Sequence, residues 1–351
     1  MKKQIAPISA LIGAALLVMA GCGTGTDVGT TPVTQTTPVA QTTNTPGQTT
    51  STKAFGDTKP EPIFKLQGHE SYVYDVAFSP DGKMLAAAGV GTKIELWDTQ
   101  TGKLLETLDG HGEDIQALAF SPDGKLLASA SDDYTVKLWN MPDGSLARTL
   151  EGHELQVIDL AFTPDSKTLV SISWDHFMKF WDPQDGSLVR EVEVETSLNR
   201  VAVSPDGQTI ATGTTGGRLQ TWNADGTLIE TVDLTPDSPA SIDALVYSPD
   251  GRTLVAGTTI STVEVVNADD LTTIESLTGH RNYVEGAAYA PNGEMFATGA
   301  LNGGIKIWNA VDNSELYEVE AYGGVNGLDF SPDSNLLAST SSSEVWLWGS
   351  K

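Results

Sequence analysis

Two sets of His, Ser, Asp and Trp residues contain the side-chain types of a hydrolase triad. The sets are His111, Ser131 (or Ser129), Asp133 and Trp139, and then His153, Ser173, Asp175 and Trp181. A Ser–His–Asp group can activate a serine hydroxyl for nucleophilic attack. The second set, however, repeats the first 42 residues later. An enzyme usually needs one such site, so the recurrence favours a structural repeat over catalysis.

A four-residue turn of the Ser-Pro-Asp-Gly type recurs seven times and defines the repeat. The turns occupy residues 79–82, 121–124, 163–166, 204–207, 248–251, 290–293 and 331–334. The steps between their first residues are 42, 42, 41, 44, 42 and 41. Such a period indicates that one supersecondary unit is repeated along the chain.

Short apolar runs lie between turn residues about every ten positions, which predicts β-strands. Proline at the second turn position fixes φ, and Asp-Gly tolerates the geometry that follows. An apolar residue always lies six positions before the turn: Val73, Ile115, Val157, Leu198, Ile242, Val284 and Val325. An aromatic residue or valine lies directly before it: Phe78, Phe120, Phe162, Val203, Tyr247, Tyr289 and Phe330. The side chains at both positions are therefore expected to be packing residues on one strand of each unit.

The unit resembles a WD40 repeat, with a Gly-His opening, an Asp before the third strand and a Trp-Asp-like end. The resemblance covers about residues 63–351 and implies an all-β, seven-bladed propeller with four-stranded blades around a channel. Only three residues follow Trp348, so the last blade should lack its fourth strand. Residues 63–66, Ile-Phe-Lys-Leu, match the fourth-strand pattern and should close that blade, which removes exposed sheet edges.

In WD40 proteins the recurring His, Ser or Thr, Asp and Trp form a buried, hydrogen-bonded tetrad. The resemblance therefore implies structural tetrads for the two sets above and no catalytic residue. Other repeats depart from the pattern, since Gly91 and Asn302 replace the Asp of the first and sixth. The fourth, fifth and seventh lack Gly-His, and the fifth has Val266 in place of Trp. These three blades are expected to depend on apolar packing and to be less stable than the others.

WD40 propellers typically bind partners with the face that carries the Gly-His loops and the turn before the tetrad Asp. Residues at these positions predict an aromatic-rich partner-binding patch, a type of surface that forms interaction hot spots. The candidates are Tyr72, Trp174, Arg281, Tyr283 and Leu301. The alternative is that these side chains only cover blade edges, and for Trp174 and Tyr283 the two roles stay open.

The first residues predict export. The chain begins Met-Lys-Lys, and residues 5–19 are largely apolar but too few for a usual membrane span. Residues 19–22, Met-Ala-Gly-Cys, resemble the lipobox of bacterial lipoproteins, with Met19 where Leu is commonest. In that family the cysteine becomes N-terminal and carries acyl chains, including palmitate, that anchor the protein. Cys22 is the only cysteine, which favours this role over an ordinary signal peptide with a chance cysteine and excludes an intrachain disulfide.

The sequence thus predicts three parts: a lipoprotein signal peptide (1–21), a Thr/Pro-rich disordered tether (22–62) and a propeller (63–351). Acidic residues number 46 against 20 basic ones, a net charge of −26, which argues against nucleic acid and against electrostatic docking on anionic lipid. Metal-ligand spacings, phosphate loops and dinucleotide fingerprints are missing from the sequence, so no metal or cofactor is expected.

We expect a non-catalytic scaffold that binds protein partners in the bacterial cell envelope, anchored through Cys22 and facing outward from the cytoplasm. The alternative is an envelope enzyme or ligand sensor that uses the mouth of the channel. Convergent carboxylates with raised pKa values, or a bound metal, would favour this alternative.

Overall fold

The computed structural model describes residue 55, residues 58–238 and residues 240–350. These residues form 28 β-strands in seven four-stranded antiparallel sheets. The predicted signal peptide, Cys22 and most of the tether lie outside the described residues.

Each sheet is one blade, and six blades consist of four consecutive strands. The first strand of the chain is β1 (Glu61–Gln67). Blade 1 holds β2 (Val73–Phe78), β3 (Met84–Gly89), β4 (Lys93–Asp98) and β5 (Leu104–Asp109). Blade 2 holds β6 (Ile115–Phe120), β7 (Leu126–Ser131), β8 (Val136–Asn140) and β9 (Leu146–Leu150). Blade 3 holds β10 (Val157–Phe162), β11 (Leu169–Ser173), β12 (Phe177–Trp181) and β13 (Leu188–Glu193).

The remaining blades follow the same order. Blade 4 holds β14 (Leu198–Val203), β15 (Thr209–Thr214), β16 (Arg218–Asn223) and β17 (Leu228–Asp233). Blade 5 holds β18 (Ile242–Tyr247), β19 (Thr253–Thr258), β20 (Val263–Asn267) and β21 (Thr273–Leu277). Blade 6 holds β22 (Val284–Tyr289), β23 (Met295–Ala300), β24 (Gly304–Asn309) and β25 (Glu315–Glu320). Blade 7 holds β26 (Leu328–Phe330), β27 (Leu336–Ser341) and β28 (Glu344–Gly349), completed by β1.

The seven turns join the first and second strands of the blades. In blade 1 the Gly82 N–H donates to Ser79 O (2.8 Å), and the Ser79 hydroxyl donates to Asp81 (2.7 Å). Gly82 has a φ of 70°, in the left-handed region that glycine adopts without steric cost. We call the end of the ring that carries these turns the turn face and the opposite end the loop face.

Apolar residues of the first strand pack each blade against its neighbours. All seven residues that lie six positions before the turn are fully buried. One cluster, for example, joins Ala130 and Leu138 of blade 2 to Val157 and Leu160 of blade 3. The core is therefore a series of interfaces between sheets rather than a single centre, and burial of apolar area at these interfaces is the main stabilising term.

A strand from the other end of the described chain completes blade 7. Strand β1 pairs antiparallel with β28, from Glu61 opposite Gly349 to Gln67 opposite Glu344. Leu66 is buried in the apolar cluster shared by blades 7 and 1. The first strands of successive blades contact each other around the whole circle, including β26 with β2. The seven-bladed propeller and its closure are confirmed, and the closing strand begins at Glu61 rather than at residue 63.

Candidate functional site

Four polar side chains of blade 2 form a hydrogen-bonded chain. His111 Nδ1 is 2.8 Å from Asp133 Oδ2, and His111 Nε2 is 2.7 Å from Ser129 Oγ. The Trp139 Nε1–H donates to the same serine oxygen at 3.0 Å. A neutral imidazole whose Nδ1–H faces the aspartate can accept the serine proton at Nε2. Ser129 is fully buried between the two rings, so its hydroxyl is closed to a substrate.

Blade 3 repeats this arrangement. His153 is 2.7 Å from Asp175 and 2.8 Å from Ser171 Oγ, and the Trp181 Nε1–H donates to Ser171 at 2.9 Å. Two equivalent networks in successive blades, each with a buried serine, have the geometry of structural cross-links between strands and loops.

In blade 2 the central hydroxyl belongs to Ser129, the alternative that the sequence left open beside Ser131, and in blade 3 it belongs to Ser171, so the assignment of Ser173 is wrong. Two residues along a strand correspond to about 6.6 Å, which is beyond the reach of the tryptophan N–H. Ser131 instead accepts the Asp133 N–H (3.1 Å), and Ser173 accepts the Asp175 N–H (3.1 Å). These outer serines therefore shape the loop that carries the aspartate.

The aspartates of both networks are held in the ionised form. Burial alone would raise the pKa of Asp133, but hydrogen bonds from His111, Thr135 and the Gly112 N–H outweigh burial and hold that pKa well below its usual range. The same balance lowers the pKa of Asp175. An ionised, fully bonded aspartate fixes the orientation of the histidine, which suits a structural network.

Blade 6 retains three members of the tetrad. His280 Nε2 is 2.7 Å from Thr298 Oγ1, and the Trp308 Nε1–H donates to the same oxygen at 2.8 Å. Burial lowers the pKa of His280 to about 4, with the Lys306 charge adding to the effect. This histidine is therefore neutral at physiological pH.

Blades 4 and 7 are less dependent on apolar packing than the sequence indicates. The Trp222 indole N–H donates to Thr212 Oγ1, and that of Trp348 donates to Ser339 Oγ, both at 2.9 Å. Each blade thus keeps the half of the tetrad that joins its second and third strands. The lower stability expected for these blades stays a prediction.

The equivalent polar side chains of blade 1 lack the hydrogen bonds that the other tetrads make. Ala87 stands where blades 2, 3, 4, 6 and 7 carry the serine or threonine that bonds to the tryptophan. His69 Nε2, Glu95 Oε2 and Trp97 Nε1 are buried without a hydrogen bond. The histidine and glutamate atoms lie 3.2 Å apart but not in hydrogen-bond geometry. Burial lowers the pKa of His69 to about 4 and raises that of Glu95.

The five candidate partner-binding residues all lie on the loop face. Tyr72 and Tyr283 are 59% and 48% exposed, Arg281 is exposed, and Trp174 and Leu301 are half-buried. The Leu301 N–H donates to Tyr283 O (3.0 Å), which places these two side by side in blade 6. Tyr72 belongs to blade 1 and Trp174 to blade 3. Three candidates therefore lie on blade 6, and Trp174 lies three blades away.

Tyr322 extends this surface, and sequence reasoning missed it. The tyrosine lies in the loop between β25 and β26, is 76% exposed and packs edge-on against Trp346, with ring centroids 5.4 Å apart. Lys65 of β1 lies 3.8 Å from the Trp346 centroid and 5.1 Å from that of Tyr322. Because blade 7 lacks the Gly-His signature, the repeat pattern gave no position for this residue. Blades 6, 7 and 1 thus carry an aromatic arc, defined as Tyr72, Arg281, Tyr283, Leu301 and Tyr322.

Three aspartates of the first strands tie neighbouring blades together. Asp75 accepts the Leu118 N–H (2.8 Å), Asp159 accepts the Val201 N–H (2.8 Å), and Asp329 accepts the Phe78 N–H (2.7 Å). Each bond joins one blade to the next. Part of each residue stays accessible, but burial of the carboxyl group raises the pKa of Asp75 and of Asp329 to about 7.

The channel encloses a polar cavity of ≈ 150 Å³, lined by residues of all seven blades. Arg200 and Glu285 belong to this lining, together with Asp75 and Asp159. Burial raises the pKa of Glu285 to about 7, the nearby charge of Asp243 adds to the shift, and Arg200 opposes it. The convergent carboxylates that would favour a channel ligand are therefore present, although two of them already serve as ties between blades.

Among the residues that the structure describes, no three His, Cys, Asp or Glu side chains lie close enough together to hold a metal ion. Within the same part of the chain we find no helical segment with the length and hydrophobicity required to cross a bilayer.

Family models for β-propellers match most of the ring. A model described as the first β-propeller of IFT122 matches residues 72–240, and the WD domain, G-beta repeat model matches residues 271–309 and 313–349. These matches and the seven-bladed architecture together support assignment of the chain to the WD40 propeller family.

Curated relatives match over short segments. The small ribosomal subunit protein RACK1 of Medicago sativa is 32% identical over 21% of this chain and 22% of its own length. RACK1 of Schizosaccharomyces pombe is 32% identical over 22% of this chain and 25% of its own length. Ribosome assembly protein 4 of Saccharomyces cerevisiae is 43% identical over 13% of this chain and 9% of its own length. The matched segments thus span a quarter or less of these relatives.

Proposed function

We propose that this chain is an exported, lipid-anchored WD40 propeller that acts as a non-catalytic protein-interaction scaffold in a bacterial cell envelope. The family assignment supports the scaffold, because WD40 propellers are typically non-enzymatic interaction modules. The buried tetrads support it as well, because their serines are shielded by the rings that bind them.

The aromatic arc is the observation on which the scaffold proposal rests. Its tyrosines lie on consecutive blades and are half to three-quarters exposed, although aromatic side chains gain free energy from burial. Arg281 adds a cation that can bind a carboxylate or backbone carbonyl of a partner. Tyrosine and arginine are the residue types enriched at interaction hot spots.

Affinity capture with the purified propeller tests this proposal. Tyr283→Ala removes the ring that the arc carries on blade 6, and Trp174→Ala removes the isolated aromatic residue on blade 3. Val189→Ala is the matched control, because Val189 is 61% exposed on the outer strand of blade 3. We expect a protein captured by wild type and by the control to be lost with Tyr283→Ala. Capture that neither loop-face variant changes would contradict the proposal.

Export and anchoring rest on residues 1–22, which are outside the described part of the chain. The lipobox-like sequence before the single Cys22 supports both. Metabolic labelling with a palmitate analogue should modify the wild type and not Cys22→Ser, and the variant should leave the membrane fraction. Equal labelling of the two proteins would contradict the anchor.

A second candidate is an envelope enzyme or ligand sensor that uses the channel mouth. Glu285 and Arg200 in the channel favour it, because a carboxyl group whose pKa lies near 7 beside a guanidinium can bind or exchange protons with a small polar ligand. Saturable binding of a small molecule that Glu285→Gln abolishes would support this function. If Glu285→Gln leaves the capture of a partner protein unchanged, the scaffold remains the proposed function.

A further inference from the structure

The channel contains an arginine that has no acidic partner. Among the described residues that line the channel cavity, Arg200 of β14 is the only cation. Its Nη1–H donates to the backbone oxygen of Asn199 at 2.8 Å, and no carboxylate in the described part of the chain forms an ion pair with it. A guanidinium has five N–H donors, so most of the hydrogen-bonding capacity of Arg200 is available to a ligand.

The two aspartates of the cavity do not pair with Arg200, because backbone groups already bind them. Asp159 Oδ1 accepts the Leu160 N–H and Oδ2 accepts the Val201 N–H, both at 2.8 Å. Asp75 is bound in the same way by two backbone N–H groups, at 2.9 and 2.8 Å. Each oxygen of these carboxylates thus joins strands and does not neutralise the arginine.

Glu285 of β22 is the second charged group of the cavity that lacks a partner. Its side chain lines the cavity and is half-buried, and within the described residues its carboxyl group has neither a hydrogen bond nor an ion pair. The charge of Arg200 acts on Glu285 and opposes the rise in its pKa, so the two groups are near each other without direct contact. A buried charge is costly unless it is paired.

Small residues leave space between these two groups. The third residue of the first strand is alanine or glycine in blades 2, 5, 6 and 7, namely Ala117, Ala244, Gly286 and Gly327, and all four line the cavity. The cavity has a volume of ≈ 150 Å³. A cavity of about 150 Å³ accepts benzene, so a ligand of about six non-hydrogen atoms fits.

The two unpaired groups require opposite charges on a ligand. A carboxylate accepts two parallel N–H bonds from a guanidinium, and an ammonium group donates to a carboxylate. Charge-assisted hydrogen bonds of about 2.8 Å at each end of a ligand can bridge two groups that are too far apart for a direct ion pair. The nearby negative charge of Asp243 also favours an ammonium group beside Glu285.

We propose that the channel binds a small zwitterion, an α-amino acid of the size of glycine or alanine, whose carboxylate contacts Arg200 and whose ammonium group contacts Glu285. This inference rests on the second candidate function, a ligand sensor, and names the class of its ligand. A ligand with one charge would leave either Arg200 or Glu285 unpaired, whereas a zwitterion pairs both and adds no net charge to the channel.

Isothermal titration calorimetry of the full chain with L-alanine tests this proposal. Propionate and ethylamine are the comparison ligands, because each keeps the alkyl part of alanine but lacks one of its two charged groups. The titrations are run at pH 8, where Glu285 is mostly ionised because its pKa is about 7. We expect saturable binding of alanine that is at least about tenfold tighter than that of either analogue, because each analogue leaves one charged group without a partner.

Substitutions assign the two contacts. Arg200→Gln and Glu285→Gln should each weaken alanine binding about tenfold or more, because each removes one charge-assisted hydrogen bond. Arg218→Gln and Glu230→Gln are the matched controls and should bind alanine as the wild type does, because both residues are exposed on β16 and β17 of the same blade as Arg200, outside the channel lining. If Arg200→Gln fails to fold, Glu285→Gln and the comparison of ligands on the wild type still decide the question.

Three results would overturn the proposal: no saturable binding of alanine, equal binding by wild type and both channel variants, or an analogue that binds as tightly as alanine. Tight binding of propionate or ethylamine would overturn the zwitterion but support a channel ligand of another charge. Glu285→Gln should still capture the partner protein of the aromatic arc, so failure of alanine binding is distinct from failure of the scaffold proposal.

Discussion

A single buried hydroxyl organises each complete tetrad. Ser129 receives the Trp139 N–H and donates to His111, so three segments of blade 2 meet at one oxygen. The low dielectric of the interior strengthens such bonds but makes an unsatisfied partner costly. The recurrence of His, Ser, Asp and Trp is therefore explained by satisfaction of buried polar groups.

Ser129→Ala should lower the free energy of unfolding by about 1–3 kcal/mol, because it leaves a buried indole N–H and an imidazole nitrogen without partners. Ser131→Ala is the matched control and should cost less, because it leaves the tryptophan bond intact. Urea denaturation of the two variants measures the difference. A larger loss for Ser131→Ala would contradict the assignment.

The sequence could not separate these two serines. Ser129 and Ser131 lie on the same face of β7, two residues apart, so both fit the pattern of alternation. Only the three-dimensional reach of the Trp139 and His111 rings distinguishes them. His111 and Asp133 could be assigned from the sequence alone, because one residue of each type recurs at the equivalent position of the next repeat.

Stability should increase as the pH falls from 8 to about 6.5. Burial raises the pKa of Asp75, Glu285 and Asp329 to about 7, above the value near 4 of an unfolded carboxyl, so the folded state takes up protons that the unfolded state does not. This contribution is complete below pH 4 and is lost as the pH rises through 7. Thermal unfolding at several pH values measures it.

Asp329→Asn should flatten this dependence, because it removes one of the three carboxyl groups whose pKa is raised to about 7. Below about pH 6.5 the buried His69 and His280 oppose the trend, since their lowered pKa values withhold protons that the unfolded chain binds. A melting temperature that increases from pH 6.5 to pH 8 would contradict the assigned shifts.

Strand β1 is the element that closes the ring. It covers the edge of β28, and Leu66 fills the interface between blades 7 and 1. Deletion of residues 60–67 should therefore lower the melting temperature of the whole propeller rather than of one blade. An unchanged melting temperature would rule out closure by this strand.

Substitutions within β1 provide a graded version of the same test. Leu66→Ala should cost about 2–5 kcal/mol, the usual range for a buried leucine. Ile63→Ala, on the same strand but 41% exposed, should change stability by no more than about 0.5 kcal/mol. Equal effects in urea denaturation would show that β1 does not pack as described.

The strands and their closure were predictable because turns, apolar positions and terminal patterns all recur in phase. The ties between blades were not, because Asp75, Asp159 and Asp329 occur in only three blades and bind backbone N–H groups of a neighbour. The burial of Phe55 was not predictable either. It lies in a segment without apolar periodicity, and its partner Phe330 is 275 residues away in the sequence.

At the scale of the whole molecule, repetition explains stability and departures from repetition indicate function. The tetrads, turns and inward-facing aliphatic residues recur and form the ring. The aromatic arc on the loop face does not recur, and its tyrosines form an exposed surface. The surface that we propose for partner binding is one of these exceptions.

Photocrosslinking in cells tests the central claim most directly. A photoreactive phenylalanine analogue at position 283 places the reactive group in the aromatic arc, and the same analogue at position 189 serves as a control on an outer strand. We expect a discrete protein adduct from position 283 that position 189 does not form. No adduct from position 283, or the same adduct from both positions, would contradict a partner-binding loop face.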